Sequence, residues 1–194
     1  TTGTFDGVHL GHKKILRQLN LAADHLGGES VLFTFHPHPR MVLFPDAHNM
    51  KLLSTQEEKM QQLEKAGLQH LIVFPFTLEF SRMSATEFVR DILVNKIKIK
   101  KLIIGYDHHF GRNREGSAEN LKELAPIYHF EYEEISVQVL DDVNISSTKI
   151  RRAIELGDVK TAFRFLGYPY GITGRVIQGD QIGRTIGVPT ANLK

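Results

Sequence analysis

The segment from Gly3 to His12 constrains the fold of this 194-residue chain more than any other, because its glycines and two histidines directly precede a helical pattern. Glycine lets the backbone approach an anion closely, and a helix N-terminus offers unpaired N–H groups and the positive end of the helix dipole. Histidine side chains add donors that can become cationic. The segment therefore predicts a strand-to-helix turn that binds phosphate.

Helical and strand patterns alternate after this turn. Apolar residues at helical spacing run to Leu26 and stop at Gly27, and the apolar run Val31 to Phe35 then indicates a strand. The same reasoning predicts buried strands over 71–74 and 102–105, and strand-like stretches around Phe130 and over 135–140. It predicts helices over 54–67 (a Ser54–Glu57 capping box), 84–95 (a Ser84–Glu87 box) and 117–125. Short apolar strands alternating with helices indicate an α/β protein with a doubly wound parallel sheet.

Ligands of such sheets bind outside the carboxyl ends of the strands. Three segments follow strand ends in this prediction: 3–12, 36–40 and 106–116. We therefore expect these three loops to face one crevice.

The last part of the chain changes character after two short helices, the first ending at Gly157 and the second running from Asp158 to Gly167. A turn-rich linker follows, and then a β-like and glycine-spaced stretch. We expect one domain over residues 1–167 and the start of a second over 168–194. Because the phosphate turn has no strand before it and the chain stops within a patterned segment, we expect an internal piece of a longer protein that lacks the first strand.

The composition is that of a folded protein with a small-molecule ligand. Hydrophobic residues make up 41% and charged residues 24% of the chain, and the formal net charge is +2 with ten histidines. This weak basic balance does not favour nucleic acid, and no apolar run approaches the ~20 residues that span a membrane. Cysteine is absent, which excludes disulfides and thiolate chemistry and fits a cytoplasmic protein. The oligomeric state is left open.

A second phosphate-binding pattern lies near the end of the first predicted domain. Hydroxyls of Ser146, Ser147 and Thr148 stand at a predicted helix start, and Arg151 follows one turn later. Both features bind phosphate. Taken alone, the same residues are more simply a helix cap and a surface charge. The run His36-Pro37-His38-Pro39 stands at a strand end, where its prolines suit either a rigid flat-ligand contact or a plain turn.

These segments together resemble the bacterial riboflavin kinase/FAD synthetase family, whose members carry G-x-F-D-G-V-H-x-G-H, H-P-x-P and I-S-S-T-x-I-R in this order. The resemblance implies a Rossmann-like nucleotidyltransferase fold and an FMN adenylyltransferase, which makes FAD from FMN and ATP with Mg²⁺ and releases pyrophosphate. It further implies catalytic roles for His9, His12 and Arg151. The residues it implies for ATP binding are Gly3, Phe5, Asp6, Gly11, Ser146, Ser147, Thr148 and Arg151.

The resemblance also implies flavin contacts from His36, Pro37, His38, Pro39 and Asp107. The segment 105–116 is similar to the family's G-x-D/N-F-R-F-G, but His108-His109 stand where Phe-Arg is usual. The contact that this arginine would make is therefore not implied for this chain. No protein ligand for a metal is implied in the adenylyltransferase site, where the phosphates would hold the Mg²⁺.

Residues 174–192 resemble the opening of the family's riboflavin kinase β-barrel, and this implies Mg²⁺ and ATP contacts from Thr190 and Asn192. A chain ending at Lys194 cannot close a six-stranded barrel. We expect riboflavin phosphorylation from the full-length protein and not from this piece.

Three alternatives remain at this point. Another H-x-G-H nucleotidyltransferase could act on nicotinamide mononucleotide, phosphopantetheine or an alcohol. A flavin-binding module without catalysis would bind FMN and release no pyrophosphate. A metal-dependent hydrolase could use imidazole ligands, which suit Zn²⁺ or Mn²⁺; the candidates are His9, His12, His36, His38, His108 and His109.

Overall fold

The computed structural model describes residues 1–47, 50–106, 108–136, 145–179, 182–188 and 190–193. The helices are α1 (Leu10–Leu26), α2 (Pro39–Leu43), α3 (Gln56–Lys65), α4 (Ala85–Glu87, continued by a π-helix over Phe88–Ile97), α5 (Ala118–Tyr128), α6 (Ser147–Glu155), α7 (Val159–Leu166) and α8 (Ile182–Thr185). The strands are β1 (Val31–His36), β2 (His70–Pro75), β3 (Lys101–Gly105), β4 (Glu131–Ile135), β5 (Val176–Ile177) and β6 (Asn192–Leu193). Short 3-10 turns span Pro45–Ala47, Phe80–Arg82 and Arg112–Arg114.

The strands of the larger part of the chain pair in parallel. β1 pairs with β2, and β3 pairs with β4. The first residues of the chain extend this arrangement, because Thr2 forms a parallel bridge with Phe33 and the Gly3 N–H donates to the Phe33 carbonyl at 3.0 Å. The chain is thus a mixed α/β protein with parallel strands, and the glycine turn starts at a carboxyl strand end beside β1.

Helices cover both faces of these strands. Successive strand side chains point to opposite faces, so Leu32 and Ile103 enter one core cluster while Phe33 and Ile104 enter another. The first cluster is completed by residues of α1 and α3, namely Leu16, Leu19 and Leu63. The second is completed by the π-helix and α5 through Phe88, Val89, Ile92, Leu93, Leu121 and Ala125. This packing fixes the ends of the strands that border the glycine turn.

Local signals in the sequence predicted most helix ends. α1 ends at Gly27, which adopts the left-handed conformation with φ 60°. The Ser84–Glu87 capping box is confirmed. The box predicted at Ser54 is wrong by one residue, because Thr55 and Glu58 form it instead. Two neighbouring hydroxyl residues, each followed three positions later by glutamate, gave equivalent local patterns.

The prediction of a strand over residues 71–74 is confirmed by β2, but the prediction that this strand is buried is wrong. Val73 is exposed, and so is His70 at the start of β2. Within the described residues β2 pairs with β1 alone, so it lies at the edge of its sheet. The strand-like stretch predicted around Phe130 is found as β4. The stretch predicted over 135–140 overlaps β4 at Ile135 alone, and residues 137–144 lie outside the described part of the chain.

The helices after this gap form a third core cluster. α6 and α7 pack together with Leu53 through residues that include Ile150, Ala162 and Leu166. Asp158 caps the start of α7 and Gly167 its end, as predicted. Among the helices that the structure describes, none has the length and apolar character needed to cross a membrane.

β5 and β6 form a short antiparallel pair near the end of the chain. A Cβ at Gly179 would collide with the side chain of Asn192. A Cβ at Gly183 would collide with the Val188 carbonyl and lie 3.0 Å from the Thr190 hydroxyl. The glycine spacing in this stretch therefore makes room for the two residues that the sequence singled out.

Candidate functional site

The glycine turn that leads from residues 1–3 into α1 is tightly bent. Phe5, Gly7 and Val8 have φ values of 49°, 76° and 35°, so two residues with side chains adopt a conformation that usually favours glycine. Phe5 and Val8 are buried, and the Val8 N–H donates to the Phe5 carbonyl at 3.2 Å. Such backbone is retained only where its surroundings hold it, which is typical of ligand-binding turns.

The two histidines meet at the first turn of α1, as the sequence predicted. His9 caps the helix, and its Nδ1 accepts a hydrogen bond from the His12 N–H at 3.3 Å. The His9 and His12 rings stack with centroids 3.6 Å apart, and the Phe5 ring stacks on the His12 ring with centroids 4.5 Å apart. A Cβ at Gly11 would lie 3.2 Å from the His9 ring. The glycine between the histidines therefore makes room for this ring.

Both imidazoles are neutral at pH 7. Burial lowers the pKa of His9 to about 4. Burial, followed by the charges of His9 and Lys59, holds the pKa of His12 well below its usual value. In this structure the two rings are therefore neutral donors and acceptors of hydrogen bonds. Because Nδ1 of His9 accepts a hydrogen bond, the proton of its neutral ring belongs on Nε2, which is left as a donor.

The second sequence motif meets the turn at Asp6. Arg151 of α6 places a guanidinium nitrogen 3.0 Å from the Asp6 carboxylate, and Ser147 donates its hydroxyl to the Asp6 carbonyl at 2.9 Å. The other carboxylate oxygen accepts the Leu53 N–H at 2.9 Å. Asp6 is 4% exposed. The two motifs to which the resemblance assigns ATP contacts are thus joined by a buried ion pair.

The start of α6 is organised by neighbouring hydroxyls. Ser146 caps the helix and accepts a hydrogen bond from the Lys149 N–H at 3.3 Å. Thr148 lies one turn before Arg151, whose guanidinium is 3.5 Å from the threonine hydroxyl. Among the described residues, Nε of Arg151 and Nδ1 of His12 are buried without a hydrogen-bond partner. Buried polar atoms of this kind call for a ligand or water partner.

The segment His36 to Pro39 connects the last residue of β1 to the first residue of α2. Pro39 is the first residue of α2, and Nδ1 of His38 accepts the Arg40 N–H at 3.2 Å as the helix cap. Burial lowers the pKa of His38 to about 4, although the nearby Asp6 charge opposes this shift. His36 and Pro37 are exposed. The side chain of His38 therefore shares the electrostatic surroundings of the turn.

The segment after β3 reaches the start of the turn. Nε2 of His108 lies 2.8 Å from the Thr2 hydroxyl, and its ring stacks with that of Phe110 at 6.0 Å between centroids. His109 is exposed. Asp107, which the sequence assigned to the flavin, lies outside the described residues. At the start of the turn, the Gly3 Cα packs so closely on the Phe5 ring that a Cβ would approach it to 2.9 Å.

The described part of the chain holds no group of three or more histidine, aspartate or glutamate side chains arranged to bind a metal ion. Four of the six histidines of the hydrolase hypothesis have other contacts. His9 and His12 stack on each other, His38 caps α2, and His108 contacts Thr2.

Two residues of this region were missed in the sequence. Lys59 of α3 is 7% exposed, and its Nζ lies 3.4 Å from the Thr4 carbonyl and 3.5 Å from the Thr34 hydroxyl. Its position four residues before the buried Leu63 was the available signal, because a lysine there interrupts an apolar helical stripe. Tyr168, whose hydroxyl contacts the Gly7 carbonyl, had no local signal.

Comparison with known families agrees with this geometry. The model of the FAD synthetase family matches residues 1–149, which include the glycine turn and the start of α6. The model of the riboflavin kinase family matches residues 166–194. The chain therefore belongs to the FAD synthetase family, and it continues into a segment similar to riboflavin kinase.

Curated relatives are similar along the whole chain. Bifunctional riboflavin kinase/FMN adenylyltransferases from Listeria monocytogenes and Haemophilus influenzae are each 39% identical, over 99% and 100% of this chain and 60% and 63% of their own lengths. The enzyme of that name from Escherichia coli K12 is 34% identical over 100% of this chain and 61% of its own. The chain thus spans about three fifths of the length of the relatives it matches.

A solved structure has the same fold. A crystal structure described as a macrolide-efflux protein from Streptococcus pneumoniae superposes with a TM-score of 0.84 at 33% identity, over 99% of this chain and 62% of its own. Its description names a different activity from that of the curated relatives, so this likeness supports the fold and not the substrate.

Proposed function

We propose that this chain transfers AMP from ATP to FMN and releases pyrophosphate. In this reaction an oxygen of the FMN phosphate forms a bond to the α-phosphorus of ATP, and the bond from that phosphorus to the bridging oxygen of pyrophosphate breaks. The product is FAD. The names of the relatives and the match to the FAD synthetase family support this activity.

The observation that carries the proposal is the junction of the two motifs at Asp6. Through the contacts of Arg151 and Ser147 with this residue, the start of α6 lies against the turn that begins α1. Two helix N-termini, a guanidinium and a pair of imidazoles therefore converge on one place. Positioned donors of this kind suit phosphoryl transfer, which depends on orientation and charge stabilisation more than on a protein nucleophile.

Each of the three proposed catalytic residues has a defined part in this scheme. The neutral ring of His9 offers its Nε2–H to a phosphate oxygen, and His12 has a buried ring nitrogen that needs a partner. Arg151 supplies a charge-assisted donor through its unpartnered Nε while its terminal nitrogen holds Asp6. The donors would strengthen their bonds as negative charge builds on the departing pyrophosphate.

We assign the magnesium ion to the oxygens of the triphosphate. Such an ion neutralises phosphate charge, and it usually keeps few protein ligands. Both carboxylate oxygens of Asp6 already accept hydrogen bonds, so this residue is not a ready ligand. The remaining ATP contacts would come from the backbone at Gly3, Phe5 and Gly11 and from the hydroxyls of residues 146–148.

The flavin would lie toward the start of α2, where His36, Pro37, His38 and Pro39 border the turn. Asp107 would contribute from the loop after β3. The closeness of His38 to the charge of Asp6 supports this placement. We further propose that residues 1–3 and the two parallel strand pairs form one doubly wound sheet, because both pairs share the same two core clusters.

A direct assay tests the proposal. The chain is incubated with ATP, Mg²⁺ and FMN, and FAD and pyrophosphate are measured together by chromatography and a coupled phosphate assay. We expect equal amounts of both products. Replacing FMN by nicotinamide mononucleotide, or ATP by CTP, should give neither. Product formation with those substitutes in preference to FMN and ATP would assign the chain to another nucleotidyltransferase activity.

The segment matching riboflavin kinase supports a second activity for the longer protein. We propose that this protein also phosphorylates riboflavin to FMN, with Thr190 and Asn192 near Mg²⁺ and ATP in a completed β-barrel. The full-length protein should then convert riboflavin to FMN with ATP. Full-length protein that makes FAD from FMN but forms no FMN from riboflavin would contradict the assignment.

A further inference from the structure

The hydroxyl of Tyr168 donates a hydrogen bond of 2.6 Å to the carbonyl oxygen of Gly7. The two residues lie in different parts of the family match. Gly7 belongs to the segment that matches FAD synthetase, whereas Tyr168 belongs to the segment that matches riboflavin kinase. The contact has no part in the roles proposed for His9, His12 and Arg151.

Several contacts hold the Tyr168 side chain in place. The Lys13 ammonium lies 4.8 Å from the centre of its ring and also contacts the Leu166 carbonyl at 3.4 Å. The tyrosine packs against the third core cluster, in which Leu166 is fully buried. An ammonium over an aromatic face is an attractive contact. The hydroxyl therefore approaches Gly7 from a well-packed position.

The turn that receives this bond needs outside support. Phe5, Gly7 and Val8 all have positive φ. Within the turn, the Val8 N–H donates a hydrogen bond to the Phe5 carbonyl. Strained backbone is retained when neighbouring structure fixes it. Arg151 holds the carboxylate of Asp6, and Tyr168 holds the carbonyl of Gly7.

We propose that Tyr168 is a positioning residue for the nucleotide phosphates, supplied to the adenylyltransferase site by the riboflavin kinase segment. Its hydroxyl fixes the Gly7 peptide, and this sets the direction of the backbone that leads into His9 and α1. The inference rests on the proposed function, because it assigns the phosphates of ATP to this turn. It makes nucleotide binding in one module depend on a residue that lies beyond residue 149, where the FAD synthetase match ends.

Tyr168→Phe tests the inference in the chain as it stands. The variant removes the hydroxyl and keeps the ring over Lys13. Tyr170→Phe is the matched control, because Tyr170 packs against the same cluster two residues later. We measure the KM for ATP, the KM for FMN, kcat, and hydrogen exchange of the amides in residues 3–12 by mass spectrometry.

We expect Tyr168→Phe to raise the KM for ATP roughly threefold to tenfold, as loss of one net hydrogen bond would do. The KM for FMN should change less than about twofold, and exchange in residues 3–12 should become faster. Tyr170→Phe should leave all of these values near those of the wild type. Unchanged ATP dependence in Tyr168→Phe would overturn the inference, even with faster exchange, because the hydroxyl would then have only a structural role.

The two proposals can fail separately. Wild-type chain that makes FAD, together with a Tyr168→Phe variant indistinguishable from it, rejects the role of Tyr168 alone. Wild-type chain that makes no FAD rejects the proposed function, and the inference is then decided by calorimetry with ATP and Mg²⁺. Weaker ATP binding in Tyr168→Phe than in Tyr170→Phe supports the role of Tyr168. Equal ATP binding in the two variants, or no ATP binding by the wild-type chain, overturns that role.

Discussion

The guanidinium of Arg151 lies 3.0 Å from the carboxylate of Asp6 although 145 residues separate them in the sequence. The carboxylate is 5% exposed and the arginine side chain 16% exposed, so the pair is largely removed from water. Burial of a pair is unfavourable for each charge taken alone, and removal of one partner leaves the other uncompensated. Loss of either residue should therefore lower the stability of the chain and also release the contact between α6 and the glycine turn.

Arg151→Gln should lower both activity and stability. We expect kcat/KM for ATP to fall at least about a hundredfold, because a phosphate donor is lost, and the free energy of unfolding to fall by about 3 kcal/mol. Steady-state kinetics and urea unfolding measure the two effects. Arg152→Gln is the control, because this exposed neighbour lies on the same helix. Adding Asp6→Asn should restore part of the stability and none of the activity. Full recovery of activity in the double variant would contradict the role of Arg151.

His12→Ala should abolish turnover while the affinity for FMN stays within a few-fold of the wild type. The reason is that the proposed contacts of His12 are made to the reacting phosphates, and its buried Nδ1 has no protein partner among the described residues. FAD formation under single-turnover conditions and quenching of flavin fluorescence give the two values. Weaker FMN binding with an unchanged rate at saturation would place His12 in the flavin site instead.

The order of helices and strands could be predicted because its signals are local. The left-handed residue at Gly27 and the cap at Asp158 depend on neighbours within one helical turn, and both are found as predicted. The same local signals could not distinguish Ser54 from Thr55 as a cap. Each of the two is followed three positions later by glutamate, and the structure has Thr55 as the cap.

Contacts between distant segments could be predicted only in part. The family resemblance implied that the motif at Arg151 and the glycine turn share a ligand, and the structure brings them together at Asp6. It gave no indication that Lys59 is buried beneath this turn, or that Tyr168 contacts Gly7. Both are tertiary contacts between residues whose neighbours in sequence carry no sign of the partner.

Acidification should destabilise the chain between about pH 6.5 and about pH 4. His9 and His38 have a folded pKa of about 4 because they are buried, and the ordinary value is 6.5. Between these values the unfolded chain binds more protons at the two histidines, so their contribution to the free energy of unfolding falls as the pH is lowered and is level above pH 6.5.

Urea unfolding at intervals from pH 4 to pH 8 measures this slope. His9→Asn keeps a good helix-capping side chain and removes the titrating ring, so it should flatten the slope. His109→Asn, at an exposed histidine, is the control and should follow the wild type. A slope that is identical in His9→Asn and the wild type would show that other groups cause the acid sensitivity.

Lys59→Met should weaken nucleotide binding with little change in stability. The buried ammonium adds positive charge behind the turn, and its loss should raise the KM for ATP by about fivefold to tenfold. The desolvation of the ammonium offsets its hydrogen bonds, so the melting temperature should change by only a few degrees. Lys65→Met, at the end of the same helix, is the control. An unchanged KM for ATP in Lys59→Met would show that its charge does not act on the phosphates.

Gly7→Ala should destabilise the chain more than Gly27→Ala. Both glycines have positive φ, at 76° and 60°, so each substitution carries a backbone penalty of about 1 kcal/mol. At Gly27 a Cβ has nothing within 4 Å, whereas at Gly7 it would lie 2.7 Å from Cδ1 of Leu53. This collision should raise the loss at Gly7 to about 3 kcal/mol. Urea unfolding at pH 7 measures both values. Equal losses would mean that Leu53 moves away freely, and that the turn is less tightly packed than its contacts indicate.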